Sequence, residues 1–302
     1  MITAVTTVQA GYFGPEGTFT HEALLAASDG GQGLQPIPFP TIYDTVMAVH
    51  AGEVQRALVP IENSLEGSVN ATLDTLAIET ENVAILGEVV HPIRHCLIAR
   101  TALDLREIRV VVSHPQASGQ CARFIRTRLP AAEVMAGSST AEAVRTVAAH
   151  DGPWAALGTR VAAERYRCQV LLAGVEDVPD NETRFVWLGR AGELPGGPGT
   201  AASTDTPGAA GTESGGAFKT AVVFWGAGSE SPGWLVSCLG EFAARGVNLT
   251  RIESRPRKQG LGSYMFFADL EGRDTDPVVS DSLAGLARHV ETLRVLGSFP
   301  AA

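Results

Sequence analysis

One segment, residues 191–217, constrains the fold of this 302-residue chain more than any other. Its 27 residues include eight glycines and three prolines, and most of the others are Ala, Ser or Thr. Such a composition cannot bury enough apolar surface to build a core, and segments of this kind serve as flexible linkers. The segment therefore predicts three parts: residues 1–190, a linker at 191–217, and residues 218–302.

Strand-like and helix-like segments alternate through residues 1–190. Apolar runs such as Val8–Phe13 and Trp154–Gly158 are followed by segments with helical spacing or helix-capping residues. This alternation predicts an α/β fold with a mainly parallel sheet and helices on its faces. His91-Pro92 separates two apolar runs and indicates a crossover between two lobes.

Three polar clusters follow predicted strands where helices begin, at residues 14–18, 62–68 and 113–120. Ligands of open α/β sheets bind in the crevice beyond the strand ends, and helix N-termini there attract anions. Helix capping alone would explain Thr18 or Ser113, and His114 could be a structural histidine. Three consecutive polar residues at 62–64 exceed what a cap needs, so the clusters favour a binding site for a small dianion.

A fourth polar stretch, residues 180–184, leads into an apolar run that ends at Gly189. Neighbouring side chains of a strand point to opposite faces. Thr183 and Phe185 should therefore share one face, and Arg184 should point to the other. The simpler interpretation is a polar turn before an edge strand.

Composition excludes several function classes. The net charge is −10 and no basic stripe exists, which argues against nucleic-acid binding. The four cysteines are far apart with no C-x-x-C pair, and the seven histidines form no H-E-x-x-H motif, so neither a metal nor a disulfide framework is expected. No signal peptide and no apolar run of membrane length is evident, which predicts a cytoplasmic location without membrane contact.

The last 85 residues read as β-α-β-β-α-β. This order is typical of the ferredoxin-like fold, in which helices cover one face of a four-stranded sheet. The open sheet edges invite pairing with a second copy, so dimerisation is expected.

Four motifs in order resemble the prephenate dehydratase family: residues 14–19, residues 60–64, residues 113–121 and residues 181–185. The C-terminal part resembles that family's ACT domain, and Glu253-Ser254-Arg255-Pro256 matches its phenylalanine-sensing motif. The resemblance implies a two-lobed catalytic domain like the type II periplasmic binding proteins, followed by a ferredoxin-like ACT domain.

The resemblance also implies boundaries. Lobe 1 would comprise about residues 1–86 and 176–190, and lobe 2 about residues 87–175. The linker would follow at 191–217 and the ACT regulatory domain at 218–302. About seven residues precede the first predicted strand, so we expect a monofunctional form.

Site residues follow from matching positions. The implied catalytic residues are Thr183, Glu62, Asn63 and Gln120. The implied substrate-binding residues are Thr18, Ser64, Ser113, Arg184 and Phe185. The implied allosteric residues are Gly233, Leu235, Val236, Asn248, Glu253, Ser254, Arg255 and Pro256. Trp234 departs from the family pattern, and its indole could crowd the effector pocket or point away from it.

The implied enzyme is a hydro-lyase that converts prephenate into phenylpyruvate in phenylalanine biosynthesis. Aromatisation of the ring supplies the electron sink, so no cofactor is expected. Thr183 would donate a hydrogen bond to the leaving hydroxyl, and Glu62 could supply the proton if burial keeps it protonated. Arg184 could bind a carboxylate or form a structural salt bridge, and Phe185 could pack or stack on the ring.

Two alternatives stay open. The chain could act on arogenate, the amino analogue of prephenate, or it could be a non-catalytic protein that binds small acids and carries a sensor. The resemblance further implies L-phenylalanine as the allosteric effector, and a homodimer or homotetramer.

Overall fold

The computed structural model of the chain describes residues 7–28, 33–193, 217–226 and 231–302. Most of the predicted linker, residues 194–216, lies outside these ranges. The strands are β1 (Val8–Phe13), β2 (Leu34–Phe39), β3 (Arg56–Asn63), β4 (Gly67–Ser68), β5 (Val83–Pro92), β6 (Cys96–Ala99), β7 (Val110–Ser113), β8 (Glu133–Ala136), β9 (Trp154–Gly158), β10 (Gln169–Ala173), β11 (Glu182–Arg190), β12 (Phe218–Trp225), β13 (Leu249–Pro256), β14 (Tyr264–Glu271) and β15 (Thr292–Pro300). The helices are α1 (Phe19–Ala26), α2 (Ile42–Ala51), α3 (Asn70–Asp74), α4 (Pro115–Gln120), α5 (Ala122–Arg128), α6 (Thr140–Ala148), α7 (Arg160–Arg165), α8 (Trp234–Ala243) and α9 (Pro277–Leu286).

The first lobe is built on a sheet with the order β2-β1-β3-β11-β5, and β4 pairs with β3. Strands β1, β2 and β3 run parallel, whereas β11 runs antiparallel to both of its neighbours, β3 and β5. Strand β11 returns from the second lobe and enters the sheet from the opposite end. The strand that carries Thr183 is therefore an inner strand of the first lobe.

The second lobe is built on a sheet with the order β10-β6-β9-β7-β8. The chain enters this lobe between β5 and β6 and leaves it between β10 and β11. Strands β7, β8 and β9 run parallel, and β6 runs antiparallel to β9 and β10. In each sheet one strand, β11 in the first lobe and β6 in the second, runs against four others that share one direction, so the sheets are mainly parallel in strand direction, as predicted, and carry one reversed long strand each.

The C-terminal module, residues 217–226 and 231–302, forms an antiparallel sheet with the order β13-β14-β12-β15. Its elements follow the chain order β-α-β-β-α-β, and α8 and α9 pack in one apolar cluster with the inner strands. The predicted fold class, a two-lobed α/β domain with a ferredoxin-like module, is confirmed.

Local differences from the sequence predictions have physical causes. Strand β2 contains two prolines, so its sequence does not predict a strand. It lies at the edge of the sheet, where prolines are tolerated. The polar cluster at 113–120 leads into two short helices, α4 and α5, which meet at Cys121. The cluster at 62–68 is followed by the short helix α3, which continues as a π-helical turn at Thr75–Glu79.

The first lobe and the C-terminal module share one apolar core. Buried residues of the first lobe, such as Val186, belong to the same cluster as Phe267 and Phe299 of the module. Strand β15 approaches β5 so closely that a Cβ at Gly297 would collide with the backbone carbonyl oxygen of Ile85. The two parts are therefore packed as one body at this junction.

In the described ranges, no helix has the length and apolar character needed to cross a bilayer.

Candidate active site

A cavity of about 300 Å³ lies between the two lobes. Its walls come from strand ends and helix starts of both sheets. The polar lining residues are Thr18, Thr20, Asn63, His95, His114, Gln116, Gln120, Ser138, Ser139, Thr140, Asn181 and Thr183. The described residues of the lining include no Lys, Arg, Asp or Glu. The cavity therefore offers uncharged hydrogen-bonding groups rather than ion-pair partners.

Thr183 lies in this cavity near the start of β11, with 7% of the residue exposed. Asn63, its partner in the β11–β3 ladder, donates from Nδ2 to Thr183 Oγ1 at 2.9 Å. Within the described part of the chain, the Thr183 hydroxyl proton has no acceptor. The hydroxyl is thus held as an acceptor on one side and keeps its proton for a group in the cavity.

Both polar atoms of the Asn63 side chain are hydrogen-bonded to other groups of the protein. Its Oδ1 accepts from the backbone N–H groups of Leu65 and Glu66, each at 3.0 Å. Its Nδ2 donates to Asn181 Oδ1 at 2.8 Å and also contacts the Glu182 carbonyl oxygen. Asn63 therefore orients Thr183 instead of offering a free amide to a ligand.

The hydrogen-bonded chain continues from Asn181 into the second lobe. Asn181 is 1% exposed and donates from Nδ2 to Gln120 Oε1 at 3.2 Å. Gln120 Oε1 also lies 3.0 Å from His95 Nε2, and Gln120 Nε2 donates to Glu66 Oε1 at 3.3 Å. This polar chain runs from His95 through Gln120, Asn181 and Asn63 to Thr183. It therefore connects the two crossing segments, residues 93–95 and 174–181, in which the chain passes between the lobes.

The start of α1 forms another wall of the cavity. Thr18 caps this helix as predicted: its Oγ1 accepts from the His21 N–H and donates to the Phe13 carbonyl oxygen. Gly17 has a φ of +88°, and its carbonyl oxygen accepts a hydrogen bond from Thr159 Oγ1 of the second lobe at 2.7 Å. A Cβ there would also lie 3.0 Å from Ala162 Cβ, so glycine permits the lobes to approach.

The start of α6 faces the same cavity from the second lobe. Ser139 caps the helix by accepting from the Glu142 N–H at 3.0 Å. Ser138 and Thr140 line the cavity beside it. Unsatisfied N–H groups at helix starts favour anions.

Glu62 and Arg184 lie outside the cavity lining. They pair across the β3–β11 ladder, and Arg184 Nε lies 3.2 Å from Glu62 Oε2. Arg184 Nη1 contacts Glu88 at 3.1 Å and Nη2 contacts Asp269 at 2.6 Å. The predicted alternation of Thr183 and Arg184 on β11 agrees with this geometry, which gives Arg184 a structural ion-pair environment.

Two further cations complete this group of charges. Lys219 Nζ lies 2.7 Å from Glu88, and Arg251 Nε lies 3.7 Å from Asp269. We call the six residues the interface ion cluster: Glu62, Glu88, Arg184, Lys219, Arg251 and Asp269. Burial raises the pKa of Glu88, but the hydrogen bonds from Lys219 and the Ala302 N–H, and the nearby cations, outweigh burial and hold the pKa below its ordinary value.

The remaining predicted substrate-binding residues take different positions. Phe185 is 1% exposed and lines the cavity beside Thr183. Ser113 is fully buried, donates to the Leu157 carbonyl oxygen at 2.9 Å and does not line the cavity. Ser64 donates to Asn181 Oδ1 at 3.3 Å and accepts from the Glu182 N–H at 3.0 Å. Ser64 therefore acts on the returning segment, and the N-cap of α4 is His114 instead of Ser113.

His95 has the most restricted environment of the two histidines in the lining. It is 1% exposed, and its ring meets Phe19 edge-to-face with centroids 5.1 Å apart. Burial lowers the pKa of His95, although the hydrogen bond with Gln120 and the charges of Glu176 and Glu22 act in the opposite direction. The imidazole is therefore neutral at neutral pH.

The predicted allosteric residues divide between two faces of β13. Glu253 accepts from Ser68 Oγ at 2.9 Å, and Arg255 binds Asp74 through two hydrogen bonds of 3.1 and 3.0 Å. Ser254 and Pro256 are exposed on the alternate positions. One face of the sensing motif is thus bonded to the first lobe, and the other face is open.

The other predicted sensor residues lie at α8 and before β13. Gly233 is the N-cap of α8 with a φ of +82°, Leu235 is partly buried, and Val236 is 74% exposed. Asn248 donates to Glu271 Oε1 at 2.9 Å. Trp234 donates from Nε1 to the His289 carbonyl oxygen at 2.7 Å and packs against Phe224 and Phe266. Its indole is therefore held within the module's own apolar cluster.

Sequence reasoning assigned no role to His95 or Asn181. His95 lies in an apolar run beside the predicted lobe crossing, four residues after His91, and belongs to none of the recognised motifs. Asn181 is the first residue of the motif at 181–185, and this position was the sequence signal that could have identified it as a site residue. Residues 138–140 belong to none of the recognised motifs, and they line the cavity because the second lobe packs against the first.

Comparisons with known proteins agree with this geometry. The family model described as prephenate dehydratase matches residues 10–193. A curated prephenate dehydratase of Amycolatopsis methanolica is 39% identical over 288 residues, which cover 95% of this chain and 87% of the relative. A solved prephenate dehydratase of Arthrobacter aurescens in complex with L-Phe has a TM-score of 0.83 and 38% identity, covering 97% of this chain and 90% of that one.

A second solved structure carries a different description. The protein GqqA, described as a novel type of quorum quenching acylase, has a TM-score of 0.80 and 28% identity. The alignment covers 97% of this chain and 98% of that protein. The same architecture, including the C-terminal module, is therefore found in a protein that is described as an acylase and not as a dehydratase.

Proposed function

The chain belongs to the prephenate dehydratase family, and we propose that its interlobe cavity converts prephenate into phenylpyruvate with Thr183 at the leaving hydroxyl. The observation that carries this proposal is the 2.9 Å hydrogen bond from Asn63 to Thr183 Oγ1 inside the cavity. Because Thr183 accepts this hydrogen bond, its own proton is directed to the ligand space.

The proposed reaction is a decarboxylation coupled to dehydration. The bond between the ring and its carboxylate breaks and releases CO2. The electron pair moves through the diene and expels the ring hydroxyl, which leaves as hydroxide and takes a proton from solvent to become water. The ring becomes aromatic and the second carboxylate stays on phenylpyruvate, so the step needs no external oxidant or reductant.

Thr183 stabilises the developing negative charge on the departing oxygen. A threonine hydroxyl is a weak acid, and the proposal asks it for a hydrogen bond in place of full proton transfer. The amide hydrogen bond from Asn63 strengthens Thr183 as a donor, because hydrogen bonds in a chain polarise one another. Loss of such a donor costs on the order of 10²–10³-fold in rate.

Glu62 has a different role from the one expected. Its carboxylate is paired with Arg184, outside the cavity lining, so we assign it no proton transfer. Asn63 becomes a positioning residue for Thr183. Gln120 and the starts of α1 and α6 offer N–H groups that suit the substrate carboxylates, which explains how a cavity without cations holds a dianion.

The proposal extends to regulation by L-phenylalanine through the C-terminal module as an ACT domain. The related enzyme of Arthrobacter aurescens was solved in complex with L-Phe. Glu253 of the sensing motif bonds to Ser68, just before α3, and Arg255 bonds to Asp74, the last residue of α3 in the first lobe. Any displacement of β13 by an effector would be transmitted directly to the lobe that carries Thr183.

A direct assay tests the proposed function. The purified chain is incubated separately with prephenate, with arogenate and with an N-acyl amide, and products are identified. Phenylpyruvate from prephenate is the expected result. Turnover of arogenate alone would assign the alternative dehydratase activity, amide cleavage alone would assign the acylase activity, and binding without turnover would assign a non-catalytic protein. The cytoplasmic location and the homodimeric or homotetrameric state stay predictions.

A further inference from the structure

We propose that His95 is a positioning residue for the dehydration: its Nε2–H fixes the side-chain amide of Gln120 so that the amide presents its N–H group, and not its oxygen, to the anionic substrate. The proposal rests on the proposed function for its catalytic consequence. Its structural part, the hydrogen-bonding state of the His95–Gln120 pair, stands independently of that function.

The first step is the location of the proton on His95. The ring is 1% exposed, and Nδ1 has no hydrogen-bond partner in the described part of the chain. Nε2 lies 3.0 Å from Gln120 Oε1, an acceptor. A neutral imidazole carries one N–H, and burying that donor without an acceptor is destabilising. The proton therefore belongs on Nε2.

The second step is the orientation of Gln120. Its Oε1 faces two N–H donors, His95 Nε2 and Asn181 Nδ2. Rotating the amide by a half turn would place its NH2 group against both donors. The rotation would lose these two hydrogen bonds and also the one that Gln120 Nε2 donates to Glu66, and without His95 only two of the three would oppose it. His95 thus adds a third hydrogen bond that holds this orientation.

The third step is the consequence for the cavity. Gln120 Nε2 faces Glu66 at 3.3 Å with one N–H, and its second N–H is left for the ligand space. Gln120 lines the cavity that contains Thr183. A substrate with two carboxylates requires donors at this wall, because an amide oxygen would repel an anion. His95 therefore favours anion binding without adding a charge to the site.

His95 also lies where the two crossing segments meet. Its backbone N–H donates to Glu176 Oε2 at 2.9 Å, and its carbonyl oxygen accepts from the Val175 N–H at 3.1 Å. These bonds hold the backbone of His95 against the segment in which the chain leaves the second lobe. The position from which the ring reaches Gln120 is therefore set by this segment as well as by α4.

Two substitutions separate this role from simple packing. The amide nitrogen of glutamine can take the place of imidazole Nε2, whereas that of the shorter asparagine falls near Nδ1. We expect His95→Gln to keep kcat/KM for prephenate within about fivefold, since a donor to Gln120 is retained. We expect His95→Asn to lose about 10- to 100-fold, the effect of a misplaced binding group. Equal activity of the two variants would overturn the proposal.

A double-mutant cycle tests whether His95 acts through Gln120. Once Gln120→Ala has removed the amide, adding His95→Asn should lower kcat/KM by less than about twofold. Losses that multiply would show independent roles and contradict the proposal. His91→Asn and His91→Gln serve as matched controls, because His91 lies in the same crossing region but pairs with Glu22, and both should retain wild-type kcat/KM.

A spectroscopic readout keeps the proposal testable even if prephenate is not the substrate. In protein labelled with ¹⁵N-histidine, the His95 resonances should report a protonated Nε2 and an unprotonated Nδ1 at neutral pH, and the protonated nitrogen should lose its hydrogen bond in Gln120→Ala. The opposite tautomer would overturn the proposal. Failure of the proposed function would appear separately, as a wild-type chain that does not convert prephenate.

Discussion

Arg184 Nη2 lies 2.6 Å from Asp269 Oδ2, and this ion pair joins the residue after Thr183 to a strand of the C-terminal module. Both side chains are largely buried, with 11% and 4% of their surface exposed. The interface ion cluster contains three carboxylates and three cations, so it balances its own charge. The strand that positions Thr183 is thus anchored on its opposite face by another part of the chain.

Removing one partner of this pair should destabilise the protein strongly. Asp269→Asn would leave Arg184 and Arg251 with excess positive charge in a buried setting, which costs about 3–5 kcal/mol of unfolding free energy. Urea unfolding followed by circular dichroism measures this loss. Asp281→Asn, at an exposed position of α9, is the control, and a cost for Asp269→Asn no greater than the control's would contradict the prediction.

The hydroxyl of Thr183 should carry most of the chemical effect. Thr183→Val keeps the shape but removes the hydroxyl, and kcat for prephenate should fall on the order of 10²–10³-fold. Thr183→Ser retains a hydroxyl within reach of Asn63 and should lose much less. Steady-state kinetics measure both, with Thr127→Val in α5 as control. A Val variant within tenfold of wild type would remove Thr183 from the mechanism.

The amide of Asn63 should affect kcat more than KM. Asn63→Asp replaces the donor to Thr183 and Asn181 with an oxygen, so three oxygens would face one another. We expect lower kcat with a nearly unchanged KM, and a stability loss of about 1–3 kcal/mol from unsatisfied buried groups. Asn70→Asp, exposed at the start of α3, is the matched control. A rise in KM alone would instead indicate direct contact with substrate.

The response to phenylalanine should depend on the contact between Arg255 and Asp74. Asp74→Asn removes the charge that receives two hydrogen bonds from Arg255. Calorimetry should still detect phenylalanine binding, while the effector's influence on kcat/KM should shrink, because the link between module and lobe is weakened. An unchanged effector response at saturating phenylalanine would exclude this route of coupling.

Glu88 should contribute to the pH dependence of stability. Its pKa in the folded state lies below its ordinary value of 4.5. Its carboxylate therefore adds stability that is fully present above 4.5 and is lost as the pH falls through the lower, folded-state pKa. Glu88→Gln should flatten the dependence of unfolding free energy on pH in this acidic range. Parallel curves for wild type and variant would contradict the assignment.

Part of the site followed from the sequence because strand alternation is a strict rule. It placed Thr183 and Phe185 on one face of β11 and Arg184 on the other, in agreement with the structure. The same rule predicts that Glu62 and Asn63 point to opposite faces of a strand. The sequence analysis placed them in a polar cluster after the strand, whereas β3 continues through Asn63.

Other features depend on contacts between distant segments. His95 and Gln120 are 25 residues apart, and Asn181 and Asn63 are 118 apart. No local pattern predicts such pairs, since each joins segments that are distant along the chain and meet only in the folded protein. The charge partners of Arg184 likewise include Asp269, which comes from the C-terminal module beyond the predicted linker.

The core shared by the first lobe and the C-terminal module bears on how such a protein can evolve. Phe267, Phe299 and Leu296 fill the same core as Val186 and Ile85. Truncating the module would expose the apolar side of the sheet that holds Thr183. The shortened chain would then be destabilised and prone to aggregation. Escape from the proposed control by phenylalanine is therefore expected through point substitutions along β13, because the C-terminal module is also part of the apolar core on which the first lobe folds.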